Sequence, residues 1–149
     1  MQKTEDVEIR GVDIYQYGIF KSKTIEILDN PTSITGKESK VRIKDFEEKT
    51  LLIPAVLGKH FGIIYTVKGN PDGADVSIRL RISHPSIKNP DTERVYTSID
   101  SICMVKIGAS EFHGWIFEHE WEIVPGQYTF QIFCDNEKLG EKAFTVYLL

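Results

Sequence analysis

The sequence predicts an all-β protein, an antiparallel β-sandwich of about eight or nine strands. Three observations carry that reading. Apolar and polar residues alternate with a period of two in many short segments, and Gly, Pro, Asn and Asp punctuate the gaps between them. No window of eleven or more residues shows an apolar helical stripe with caps.

In chain order, strands are expected near 8–20, 24–28 and 40–44. In the last of these Lys40, Arg42 and Lys44 share one face opposite Val41 and Ile43, a pattern that discourages pairing of a sheet edge with other chains. Asp45 to Leu52 is the nearest approach to a helix, but it is short and stops before Pro54. Phe61, Ile63, Tyr65 and Val67 make the next strand, closed by the turn Gly69-Asn70-Pro71-Asp72-Gly73. Val76, Ile78, Leu80 and Ile82 alternate with Ser77, Arg79, Arg81 and Ser83, a half-buried strand with a basic outer face. Ser83 to Thr97, holding Pro85 and Pro90, reads as a long connection before a strand at 101–107.

Trp115 to Ile123, if extended, puts Trp115, Phe117, His119, Trp121 and Ile123 on one face and Ile116, Glu118, Glu120 and Glu122 on the other. Tyr128, Phe130, Ile132 and Cys134 define the next strand, and Phe144, Val146 and Leu148 the last. The polar stretch Asp135 to Lys138 joins these two as a hairpin.

The whole chain of 149 residues is expected to form one domain, with 1–6 as a flexible tail. A composition of 41% apolar, 11% aromatic and 27% charged residues excludes disordered and collagen-like chains and disulfide-stapled miniproteins. The formal charge of −4 argues against nonspecific nucleic-acid binding, because phosphate affinity grows with the cations presented. No apolar run approaches the ~18 residues of a bilayer span. The longest, Leu51 to Leu57, is broken by Pro54. The N-terminus shows no apolar signal core, so the expected compartment is the cytoplasm as written, or the periplasm or exterior if a signal peptide has been removed. Cys103 and Cys134 lack metal-ligand spacing and read as two small buried thiols, with a disulfide as the alternative in an exported protein.

Val124-Pro125-Gly126-Gln127-Tyr128-Thr129-Phe130 resembles the corner before the penultimate strand of immunoglobulin-like sandwiches, where a tyrosine bonds back to the preceding loop. In that frame the strands run A near 8–20, B at 61–68, C at 76–83, D near 101–107, E at 115–123, F at 127–134 and G at 139–148. Further short motifs follow in order: Tyr17-Gly18-Ile19, Ile53-Pro54-Ala55, Gly58, Phe61-Gly62-Ile63, Trp121 to Gly126, and Leu139 to Val146. Together they resemble the bacterial domain-of-unknown-function family 3859 (DUF3859). The resemblance implies an immunoglobulin-like sandwich with no established activity, export in some relatives, and no catalytic residues to carry over.

The reactive constellations are missing from the sequence. Gly108-Ala109-Ser110-Glu111 lacks the second glycine of a nucleophile elbow, and no GxxxxGK[ST] or GxGxxG phosphate loop occurs. His113, Glu118, His119, Glu120 and Glu122 crowd together, but a strand here would send His119 and the glutamates to opposite faces. No catalytic residue, metal site or cofactor is therefore expected. Strands C, F and G of such a sandwich share a sheet, whose outward residues would be Arg79, Arg81, Thr129, Gln131, Phe133, Thr145 and Tyr147. Arg79, Arg81, Gln131, Phe133 and Tyr147 are the candidate binding residues, suited to a protein, peptide or glycan.

A noncatalytic binding module is the leading functional reading. The alternatives are an enzyme or accessory domain using 113–122, and a subunit that self-associates through edge strands into a homo-oligomer. A pocket gathering two or more of the His and Glu side chains would favour catalysis, and a flat Arg and aromatic surface would favour binding.

Overall fold

Nine strands follow one another along the chain in a computed structural model that describes residues 6–149, except for the side chains of 22–26 and 38–44. They are β1 (Glu8–Asp29), β2 (Lys37–Glu48), β3 (Leu52–Pro54), β4 (His60–Asn70), β5 (Asp75–Lys88), β6 (Val95–Lys106), β7 (Ser110–Ile116), β8 (Gly126–Cys134) and β9 (Glu137–Tyr147). A four-stranded sheet, in the order β2-β1-β4-β7, packs on a five-stranded sheet, β3-β9-β8-β5-β6. Described pairings are antiparallel except for the short parallel β3–β9 ladder. The side chains of Lys40, Arg42 and Lys44 lie outside the described residues, as does the expected tail apart from Asp6.

Several boundaries differ from the sequence expectation, each for a local reason. The segments 8–20 and 24–28 are one strand, whose register slips let it change partners without ending. Its first half pairs with β4 and its second with β2. Gly18 permits that handover, because a Cβ there would lie 1.9 Å from the Glu48 carbonyl oxygen. Asp45 to Glu48 extends β2 instead of turning into helix.

The expected connection over 83–97 is mostly strand, since β5 continues to Lys88 and β6 begins at Val95. A register shift between Ser83 and Ile87 accommodates Pro85 without ending the ladder. This tight hairpin holds β6 beside β5, so the segment expected as strand D joins the sheet of C, F and G. Neither β6 nor β8 supplies a disulfide: Cys103 and Cys134 are unbonded and half-buried, with β5 between their strands.

The largest difference concerns 115–123, which is a strand only as far as Ile116. Phe117 then leaves the edge to exchange backbone hydrogen bonds with the 58–59 loop, and Glu120–Glu122 winds into a 3-10 turn. The expected aromatic wall and acidic ladder therefore do not form. Trp115 and Phe117 are buried, Trp121 is half-buried, and Glu122 goes inward while Glu118 and Glu120 stay exposed.

The core lies between the sheets and is built from the predicted alternation: Phe61, Ile63, Tyr65 and Val67 from β4 face Val76 to Ile82 of β5 and the apolar faces of β8 and β9. At its end, Tyr128 Oη donates to the Val124 carbonyl at 2.7 Å, which is the predicted tyrosine corner. Tyr128→Phe should lower stability by about 1–2 kcal/mol, because a carbonyl loses its donor while the ring still packs. Urea unfolding checks this, and an unchanged midpoint would make the corner a bystander. No helix among the described residues is long and apolar enough to cross a membrane.

Candidate functional site

The outer face of the five-stranded sheet gathers most of the predicted binding residues. Arg79 lies opposite Phe133, and Arg81 opposite Gln131, across the β5–β8 ladder. The Arg79 guanidinium carbon sits 4.5 Å from the centre of the Phe133 ring. On the other side β6 brings Asp100, whose carboxylate accepts from Arg81 Nε at 2.9 Å and Nη2 at 3.3 Å and lies 3.6 Å from Arg79 Nη1. That hydrogen bonding raises the Arg81 pKa further above its ordinary value. Gln131 Nε2 donates to Glu141 Oε1 at 2.8 Å. Such exposed pairs add little stability, but they fix two guanidinium planes against the sheet.

Tyr147 is exposed on the same sheet but does not join this cluster. The antiparallel β8–β9 ladder sets the end of β9 against the start of β8, so Tyr147 stands roughly 23 Å of strand from Phe133. It neighbours Pro54 of β3 instead.

In place of Tyr147, β6 contributes Ile102 and Met104, which are 76% and 67% exposed. Ile102 lies opposite Arg79, and Met104 opposite Ser77. Assigning 101–107 to the other sheet hid these residues and Asp100. The available signal was apolar residues on both faces of that strand, an unusual pattern for an edge.

A second feature is a cleft of about 640 Å³ on the open side of the sandwich. It runs along the edge of β7, with residues 111–116 all lining it, and over β5 and β6. The tip of the β1–β2 hairpin closes one side. Asp100 anchors that tip through its backbone: its carbonyl accepts from Asn30 Nδ2 at 2.9 Å, and its N–H donates to Thr32 Oγ1 at 3.0 Å. Asn89 Nδ2 adds a bond to the Ile34 carbonyl at 2.9 Å.

The cleft brings together His113, Glu118, His119 and Glu122, which a continuous strand would have separated. One ligand-type atom from each of Glu118, His119 and Glu122 lies within 4.8 Å of the others, because the 3-10 turn folds the segment back on itself. His119 Nδ1 and Glu122 Oε1 are hydrogen-bonded at 2.5 Å, and the His119 ring stacks on Trp121. Burial raises the Glu122 pKa against the opposing effect of His119. Burial also pushes His60 and His113 down to about 4, so both imidazoles are neutral at pH 7.

Among the described lining residues, the arrangement offers a base but no hydroxyl bonded to one. Ser101 Oγ has no hydrogen-bond partner, and the Cys103 thiol lies against the Tyr65 hydroxyl.

Comparison with known proteins accords with this architecture. An immunoglobulin-like protein from Pseudomonas aeruginosa superimposes with a TM-score of 0.64 at 23% identity, over 96% of this chain and 98% of that one. A DNA-bound alkylpurine DNA glycosylase from Pseudomonas fluorescens gives a TM-score of 0.40 at 14% identity, over 64% of this chain and 27% of that one. A β-glucosidase from Listeria innocua gives 0.37 at 14% identity, over 87% and 16%. The last two overlaps are too loose to bear on fold or function. No curated protein matches the chain. The family model of the domain of unknown function DUF3859 matches residues 8–146, and the chain belongs to that family.

Proposed function

We propose that this domain is a noncatalytic binding module that docks a protein partner on the outer face of its five-stranded sheet, around Arg79. The observation that carries this reading is the exposure of Ile102 and Met104 beside the Arg79–Phe133 stack. Aromatic, Met and Arg side chains are what interface centres enrich, and two exposed apolar side chains on an edge strand otherwise invite aggregation.

The test is affinity capture from source lysate with the wild-type protein and with Ile102→Asp, both verified as folded. Ile102→Asp should stay within about 0.5 kcal/mol of wild-type stability, since it alters only exposed surface, and should lose the proteins that the wild type retains. Identical captures would remove the outer face from consideration.

A catalytic reading is supported by the gathering of His113, Glu118, His119 and Glu122 at one cleft. It stands second because the Ser101 hydroxyl, which lines that cleft, has no hydrogen-bond partner to act on it as a base. Self-association through β6 would use the same apolar residues. Light scattering separates it from docking of another protein, because a strict monomer at high concentration excludes it.

A further inference from the structure

The cleft between β6 and β7 has chemistry of its own, although Ile102 and Met104 of the outer sheet face also line it. Its volume of about 640 Å³ suits a small organic molecule, since such sites span roughly 300–1,000 Å³. Ile27, Leu28, Leu80, Ile82, Phe112 and Ile116 give it apolar walls.

Within those walls three polar atoms, Ser101 Oγ, His113 Nε2 and Trp115 Nε1, are buried without a hydrogen-bond partner. Ser101 and Trp115 are only 8% and 7% exposed. Each such orphan costs about 1–3 kcal/mol, and native folds keep few of them. An indole N–H can only donate, so what Trp115 lacks is an acceptor.

The charges around the cleft select further. Glu111, Glu118 and Glu122 line it, whereas its cation Lys37 is already paired with Asp29. His60 and His113 are neutral at pH 7 because burial penalises their charged forms. Among the described residues, an anion would meet carboxylates without a spare lining cation to balance them.

We propose that this cleft binds a neutral, largely apolar small molecule whose acceptor oxygen is held by Trp115 and Ser101. The ligand spans the gap between the β6 and β7 edges beneath the β1–β2 hairpin tip. Cys103, which lines the same cleft, is a built-in reporter of occupancy, and Cys134, which does not line it, is the internal control.

The probe is the neutral naphthyl ketone Prodan, with the anionic naphthalene sulfonate ANS as its charged counterpart. Prodan should bind saturably at one site per chain, with its emission shifted to the blue. It should slow maleimide alkylation of Cys103 and leave that of Cys134 unchanged. ANS should bind at least about tenfold more weakly. Trp115→Phe, verified as folded, should weaken Prodan binding roughly fivefold, the worth of one hydrogen bond. Arg79→Glu should leave Prodan binding unchanged, so a failure of the outer-face reading would not touch this one. Absence of saturable Prodan binding, or binding that leaves Cys103 alkylation unaltered, overturns the site. Equal affinity for ANS overturns the assignment of a neutral ligand, and an unchanged affinity in Trp115→Phe overturns the hydrogen-bonded acceptor.

Discussion

Replacing Phe61 by alanine is expected to lower the unfolding free energy by about 3–5 kcal/mol, the range for truncating a buried aromatic side chain. Phe61 is fully buried on β4 and meets the rings of Phe117, Tyr128, Phe130 and Phe144 at 5.2–5.9 Å between centroids. It therefore joins the four-stranded sheet to β8 and β9 of the other sheet and to the loop after β7. A domain of this size has roughly 5–15 kcal/mol in total, so the loss removes a large part of the margin. Phe133→Ala is the matched control, because that half-buried ring loses mainly its contact with Arg79 and should cost about 1 kcal/mol or less. Urea unfolding of both variants makes the comparison. A Phe61→Ala loss below about 2 kcal/mol would mean that the aromatic cluster collapses around the vacancy and does not act as the keystone between sheets.

Much of this core was legible because burial between two sheets imposes a period of two. The residues read as inward on β4 and β5 are buried, as are Tyr128, Phe130 and Ile132 of β8 and Phe144 and Val146 of β9, whereas Cys134 is half-buried and Leu148 lies exposed beyond the end of β9. The tyrosine corner formed with its expected partner loop. The errors fell where a local tie overrode the pattern. Alternation continues through Trp121 and Ile123 in the sequence, but the chain leaves the sheet at Phe117 to bond with Lys59. Nothing in 115–123 itself encodes that bond, because its partner lies about sixty residues away.

The candidate site was read unevenly for the same kind of reason. Arg79, Arg81, Gln131 and Phe133 came together because neighbours in a ladder follow from strand direction and register. Asp100, Ile102 and Met104 were missed because sheet membership of β6 depends on a hairpin whose prolines mimic a loop. The cleft was invisible altogether. It exists because the β1–β2 hairpin reaches across to Asp100, a tertiary contact carried by Asn30 and Thr32.

Acid should weaken this protein well before its surface carboxylates titrate, and the cause lies in the walls of that cleft. Burial holds His60 and His113 down to about 4, against about 6.5 for an imidazole in the unfolded chain. Between those values the unfolded state takes up protons that the folded state refuses, so stability is fully present above the unfolded pKa and falls as pH drops towards 4. Each histidine accounts for up to about 3 kcal/mol over that window. His84, whose pKa burial also lowers, adds to the loss. Glu122 opposes it, because burial raises its pKa, so the folded state takes up that proton more readily than the unfolded chain as pH falls. The exposed Asp29 and Glu141 carboxyls, lowered by hydrogen bonds from Lys37 and Gln131, lose their contribution only in more acidic solution. The urea midpoint should therefore drop steeply between pH 6.5 and 4.5, and His113→Gln should flatten that slope by removing one of its two main sources. A flat profile across the window would show that the imidazoles reach solvent or a compensating acid. Since His113 lines the cleft and stays neutral in the folded state until about pH 4, Prodan binding to the folded protein should persist through the wild-type descent and fall only below it, when the wall around the ligand acquires charge.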